Sequence, residues 1–397
     1  MRSSRLVVSF INAGHVVVHM FMLIFPTAVL GMGEEFRRPY SELLALSTGG
    51  FFAFGAGSLP SGWLGDVWSR RNMLALFFLG IGTASILTGM SGSPVTLAIG
   101  LTGIGLFASI YHPVGTAMLT AHAEKIGRAI GINGVWGNMG VALAALTAGA
   151  LTQWVGWRAA FILPGILTVL LGVAFLWLVP DQRTAATTGA RKSLGVPPHI
   201  VVRVFIVLAL VTSAGGVVFN ATTVGMPKIL DERLAMLTGS PLGVGLLAFA
   251  VYMIGATAQL IVGRLVDRHP LRTVFLPLAA LQAPCLFLAT SARDWVMLLL
   301  AIGMMFAIFG QVTINDTMVA RYTTDAWRAR VYAVRYVVSF SASATAVPLV
   351  AFLHRRTGGF DLTFKVLAVF GLLVFLGAAL FPHRPEEVQP AGSEVSA

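Results

Sequence analysis

Twelve long apolar runs divide this chain from end to end. A helix needs about 20 mostly apolar residues to cross a bilayer. In hydrocarbon the backbone finds no water, so a spanning run must satisfy its own N–H and C=O groups. The runs fall at 6–30, 43–64, 72–90, 95–121, 129–152, 159–179, 201–227, 241–264, 273–291, 295–320, 331–353 and 362–381. Composition agrees: only 11% of the residues are charged, where a soluble domain carries about 25%. The expected fold is an all-α membrane protein of twelve transmembrane helices. No cleavable signal peptide is expected, because the first run is too long. The single cysteine, Cys285, has no partner for an intramolecular disulfide.

One short pattern occurs twice, each time where an apolar run ends. The first copy is Gly62-Trp-Leu-Gly-Asp66-Val-Trp-Ser-Arg70-Arg71, and the second is Gly263-Arg-Leu-Val-Asp267-Arg268-His-Pro-Leu-Arg272. Gly62 and Gly263, Asp66 and Asp267, and Arg71 and Arg272 correspond, each pair 201 residues apart (263 − 62). A repeat of half the chain implies two six-helix bundles related by pseudo-symmetry, the architecture of a secondary transporter. The expected divisions are an N-terminal half at 1–182, a linker at 183–200, a C-terminal half at 201–382 and a disordered tail at 383–397.

The net charge of +11 follows from loop topology rather than from a nucleic-acid partner. Lys and Arg concentrate in the loops on the side of the repeated pattern, among them Arg70, Arg71, Lys125, Arg128, Arg183, Arg191, Lys192, Arg268 and Arg272. The positive-inside rule then places that side and both termini in the cytoplasm.

With twelve spans, a central linker and the Gly-x-x-x-Asp…Arg-Arg loop after span 2, the chain resembles the major facilitator superfamily. Gly156-Trp157-Arg158-Ala-Ala-Phe161 between spans 5 and 6 is similar to that superfamily as well. Tyr111-His112-Pro113 in span 4 and the glycine-rich span 5 distantly resemble its fosmidomycin-resistance exporter branch. The chain departs from that branch at Val114 and at Gly14-His15, where the exporters tend to carry acidic or amide side chains. The resemblance implies a monomer. It also gives Gly62, Asp66, Arg70, Arg71, Gly263, Asp267, Arg268 and Arg272 a role in gating. Asp66 and Arg70 are spaced to pair across one helical turn.

Polar side chains inside the spans are the candidate site. Asn12, His15 and His19 share one face of span 1. His15 lies about ten residues, roughly 15 Å, from the cytoplasmic end, and His112 of span 4 sits at a similar depth. The two histidines are expected to face each other, and imidazole titrates near neutral pH. In the other half, Gln311, Asn315 and Asp316 form a polar stretch, and Arg335 of span 11 lies at the depth of Asp316. An ion pair between Asp316 and Arg335 is expected. In span 5, Gly127, Gly131, Gly134, Asn138 and Gly149 form a small-residue face for close helix packing.

No metal is expected, since span 1 has no His-Glu-x-x-His motif and no nearby carboxylate. No cofactor is expected either, a proton gradient being the energy source. A primary pump is disfavoured by the lack of a Gly-x-x-x-x-Gly-Lys-Ser/Thr phosphate loop. The expected activity is proton-coupled antiport of a small organic molecule by alternating access, in the direction of efflux across a bacterial-type inner membrane. Uptake of a small organic anion is the second reading. A lipid-handling membrane enzyme or flippase is the third, unsupported by any nucleophile elbow, metal cluster or carboxylate pair.

Overall fold

A computed structural model describes residues 2–123, 126–180, 198–234, 239–323 and 325–382. Eleven helices among them are long and apolar enough to cross a membrane. They are α1 (Ser4–Gly31), α2 (Tyr40–Val67), α3 (Arg70–Gly89), α4 (Pro94–His122), α5 (Ala129–Trp154), α6 (Trp157–Leu178), α7 (Val202–Arg233), α8 (Pro241–Val266), α9 (Leu271–Leu288), α10 (Asp294–Val319) and α12 (Asp361–Leu380). The remaining expected span lies within α11 (Asp325–Thr357), a 33-residue helix. At 1.5 Å per residue it is about 50 Å long, more than a bilayer core requires. These helices make up the twelve-helix architecture.

The packing partners of one half recur in the other. α3 lies on α6 as α9 lies on α12, α2 on α4 as α8 on α10, and α1 on α5 as α7 on α11. The two seams between the halves, α5 with α8 and α2 with α11, exchange under the same relation. The helix that continues into α7 already starts at Pro198. Proline suits a first helical turn, where its missing N–H is not needed. The helix therefore takes the last residues assigned to the linker. Residues 183–197 of that linker and the tail at 383–397 lie outside the described residues.

Two proline-linked irregularities shape the N-terminal half. The first helix stops at Leu23 and resumes at Phe25, beside Pro26. α4 widens into a π-helical turn over Tyr111–Gly115, around Pro113. Proline cannot donate to the ladder and crowds the preceding turn, so the helix opens locally there.

The α5–α8 seam is close at one end. A Cβ on Gly149 would lie 2.4 Å from the Pro241 carbonyl oxygen, and one on Gly245 would lie 2.6 Å from that of Ala145. Only glycine permits this approach. Nearer the pattern loops the same helices bring Gly134 beside the Gln259 side chain. One turn further, Gly131 and Gly263 have no neighbour among the described residues within 4 Å of a Cβ position. The seam is therefore tight at the far end and parted at the end carrying the repeated pattern. Gly131, expected as a packing residue, is exposed for this reason. The side chain of Gly127 is outside the described set.

Candidate functional site

The N-terminal half holds a polar cluster built from three helices. The carbonyl of Asn133 in α5 can only accept, so His15 donates from Nδ1–H at 2.6 Å. In the neutral ring this leaves Nε2 of His15 unprotonated, and it accepts from Nε2–H of His19 at 3.2 Å. The Asn133 amide donates to Oδ1 of Asn12 at 2.9 Å and to the Tyr111 hydroxyl at 3.0 Å. That hydroxyl donates to the Ile11 carbonyl at 2.8 Å. The Tyr111 ring stacks on His15 at 5.1 Å between centroids.

The π-turn of α4 carries His112 to the same place. Its ring meets His15 at 5.4 Å and His19 at 5.5 Å, edge to face in both cases. Gly137 of α5 makes room for this, because a Cβ there would lie 2.7 Å from Cε1 and Nε2 of His15. The glycines of α5 thus serve two faces, Gly134 and Gly149 toward α8 and Gly137 toward α1.

In the C-terminal half, Arg335 of α11 pairs with Asp316 of α10. The arginine side chain is 10% exposed and the aspartate 37%, so the carboxylate is the more accessible member of the pair. Gln311 is buried and donates to the Val211 carbonyl of α7 at 3.2 Å. Asn315 and Asn138 are buried as well.

The repeated pattern is less symmetric than its sequence. Asp66 pairs with Arg70 at 2.7 Å and stays largely exposed. Leu271 occupies the position corresponding to Arg70 in the second copy, and Asp267 has no ion pair among the described residues. Arg71 donates to the Leu176 and Val179 carbonyls, capping the end of α6. The corresponding end of α12 is held at Leu380 by Arg203 rather than by Arg272. Arg71 is therefore a positioning residue for α6.

At the far end the sequence reading singled out Trp157 and Arg158 but not their partner Glu35, nor the residues of the other half. Glu35 accepts from both Nη1 and Nη2 of Arg158, at 2.7 and 2.6 Å, and from the Trp157 indole at 2.8 Å. The Arg158 hydrogen bonds, then that of Trp157, pull the Glu35 carboxyl down to about 2. The other half shows the same clamp with the charges exchanged: Arg233 pairs with Asp361 and also donates to the Thr290 and Ala292 carbonyls. Between the halves, Tyr40 meets His354 at 5.1 Å and lies under Lys228 at 5.7 Å. Glu232 accepts from His354 at 2.8 Å. Beside this contact opens a cavity of about 490 Å³ lined by Val29, Tyr40, Lys228, Asp231 and Pro241.

Residues 11–236, and again 208–396, match the sequence profile of the Major Facilitator Superfamily. The chain belongs to that superfamily. That superfamily is one of membrane transport proteins, not of enzymes. Over 161 residues, 39% of this chain and 30% of the relative, it is 32% identical to the puromycin resistance protein pur8 of Streptomyces alboniger. Over 360 residues, 88% of this chain and 87% of the relative, it is 22% identical to a probable sugar efflux transporter of Pasteurella multocida. The alignment spans about a third of the length of the first curated relatives. Among solved structures, a D-xylose-proton symporter superposes with a TM-score of 0.76 at 14% identity, over 96% of this chain and 98% of the other. That likeness concerns the fold.

Proposed function

We propose that this protein is a proton-coupled secondary transporter that exports a small organic molecule by alternating access. The observation that carries the reading is the Asp316–Arg335 pair, a carboxylate within a span, paired with a buried arginine and itself a third exposed. Ionisable side chains at membrane depth are costly and sit on transport pathways. A proton arriving on Asp316 removes the charge paired with Arg335, which shifts the balance toward substrate binding or toward movement of α11. In this reading the polar cluster of Asn12, His15, His19 and His112 lines the pathway in the N-terminal half. The Asp66 loop and its copy gate the parted end, which is the cytoplasmic end in this reading. The relatives with resistance and efflux names support the direction. The protein works as a monomer in a bacterial inner membrane, with both termini in the cytoplasm.

The second reading is uptake of a small organic anion. It draws on the same pair, since protonation of Asp316 weakens its hold on Arg335 and lets an anion arrive together with the proton. Reconstituted vesicles carrying a pH-sensitive dye, screened against amphiphilic drugs and organic anions, separate the two. Export by exchange moves protons against the substrate, whereas symport moves them with it. Substrate flux with no proton movement would sink both.

A further inference from the structure

The histidines of α1 and α4 form a closer constellation than a cavity wall requires. One nitrogen from each of His15, His19 and His112 lies within 4.8 Å of the other two. Nε2 of His15 and Nε2 of His19 are already 3.2 Å apart. In a tetrahedral site with metal–nitrogen bonds of about 2.0–2.1 Å, ligand nitrogens stand roughly 3.3–3.4 Å apart. The first two ligands are therefore at bite distance. His112 has to close by at most about 1.4 Å, within the reach of a side-chain rotation.

The surroundings fit a metal as well. Metal-binding histidines usually donate their other ring N–H to a carbonyl or carboxylate, which fixes the tautomer and aims the lone pair. His15 has this arrangement, with Nδ1–H held by the Asn133 carbonyl. His15 and His19 keep some solvent exposure, while His112 is buried. The ligand set is three imidazoles with no carboxylate. Such a set suits zinc, copper, nickel or cobalt dications and not magnesium or calcium. Three ligands leave a fourth position for water or for a donor atom of a bound substrate. The sequence expectation of no metal rested on α1 alone, which supplies two ligands; the third comes from the π-turn of another helix.

We propose that His15, His19 and His112 bind one transition-metal dication of the zinc type in the N-terminal half. The site is separate from the Asp316–Arg335 pair, so its failure leaves the transport reading standing.

The test is titration of the full-length protein, carrying an affinity tag without histidine, with Co²⁺ and then Zn²⁺. Expected are one equivalent of Co²⁺ with the visible absorption of a tetrahedral centre, its loss on adding Zn²⁺, and a Zn²⁺-dependent rise in Tm. His15→Asn, His19→Asn and His112→Gln should each weaken binding by about tenfold or more, while His122→Gln and His269→Gln leave it unchanged. Where a variant does not fold, X-ray absorption of the zinc-loaded wild type decides, three imidazoles being expected. Absence of the cobalt spectrum, equal binding in the triple variant, or fewer than three imidazoles around zinc overturns the proposal.

Discussion

His15 donates its Nδ1 proton to the carbonyl oxygen of Asn133, 118 residues away in the chain, at 2.6 Å. This bond fixes the ring that Tyr111, His19 and His112 surround. It also ties α1 to α5, so the cluster moves as a unit with those helices.

Gly137→Ala tests how tightly that ring is held. The added methyl would lie 2.7 Å from His15 Cε1 and Nε2, so the ring must leave its bond to Asn133. Overpacking of this kind costs about 1–3 kcal/mol. The expected outcome is a folded protein with lowered Tm and impaired transport. Transport and Tm equal to wild type would show that the ring is not held as described.

Breaking the Asp316–Arg335 pair should cost stability as well as coupling. Asp316→Asn leaves Arg335 buried opposite a neutral amide. Because the carboxylate is a third exposed, a loss of up to about 3 kcal/mol is expected, the lower end for a broken buried pair. The double variant Asp316→Asn/Arg335→Gln should recover Tm without recovering proton-driven transport. Denaturation profiles with flux measurements on the three proteins check both parts.

The far-end clamps give a charge-exchange experiment. Glu35 and Arg158 stand in one half where Arg233 and Asp361 stand in the other. Arg158→Glu should lower Tm, and Glu35→Arg/Arg158→Glu should restore part of it. Recovery stays partial because the Trp157 indole loses its acceptor. Acid provides an independent check. The folded-state value of Glu35 is depressed from 4.5 to about 2. Its contribution is therefore complete above the unfolded value of 4.5 and fades as pH falls toward 2. The Tm advantage of wild type over Glu35→Gln should shrink over that window and hold steady above it.

Tyr40 and His354 join the two halves at the far end, where the seam is closed. Tyr40→Ala removes the ring that packs against His354 and Lys228, so the outward-open population should rise. A cysteine introduced as Ser240→Cys, near the cavity there, should react with a hydrophilic maleimide several-fold faster in the Tyr40→Ala background. An unchanged rate would mean that this contact does not hold the far end shut.

Much of the architecture was legible because hydrocarbon allows few solutions. Apolar run length gave the spans, and Gly62 with Gly263 gave the repeat. The spacing of Asn12, His15 and His19 gave one helical face, and shared depth suggested the Asp316–Arg335 pair that the structure contains. What escaped depends on contacts between helices distant in sequence. Asn133 stands among the glycines of α5, and nothing local marks its carbonyl as the partner of His15. The expected meeting of His15 and His112 is present, and the opening of α4 at Pro113 lies at that contact. Arg71 and Arg272 correspond in the repeat, yet Arg71 holds the end of α6 whereas Arg203 holds the end of α12. The exchanged charges of Glu35–Arg158 and Arg233–Asp361 hid the far-end symmetry from a reading that looked for the same residue twice.

Substrate-linked proton movement in proteoliposomes, for wild type and Asp316→Asn side by side, tests the central claim most directly. The account predicts that a compound from the drug or anion panel moves protons through the wild type, and that the variant binds it without moving them. Full pH-gradient-driven transport by Asp316→Asn would contradict the account and place the coupling elsewhere in the molecule.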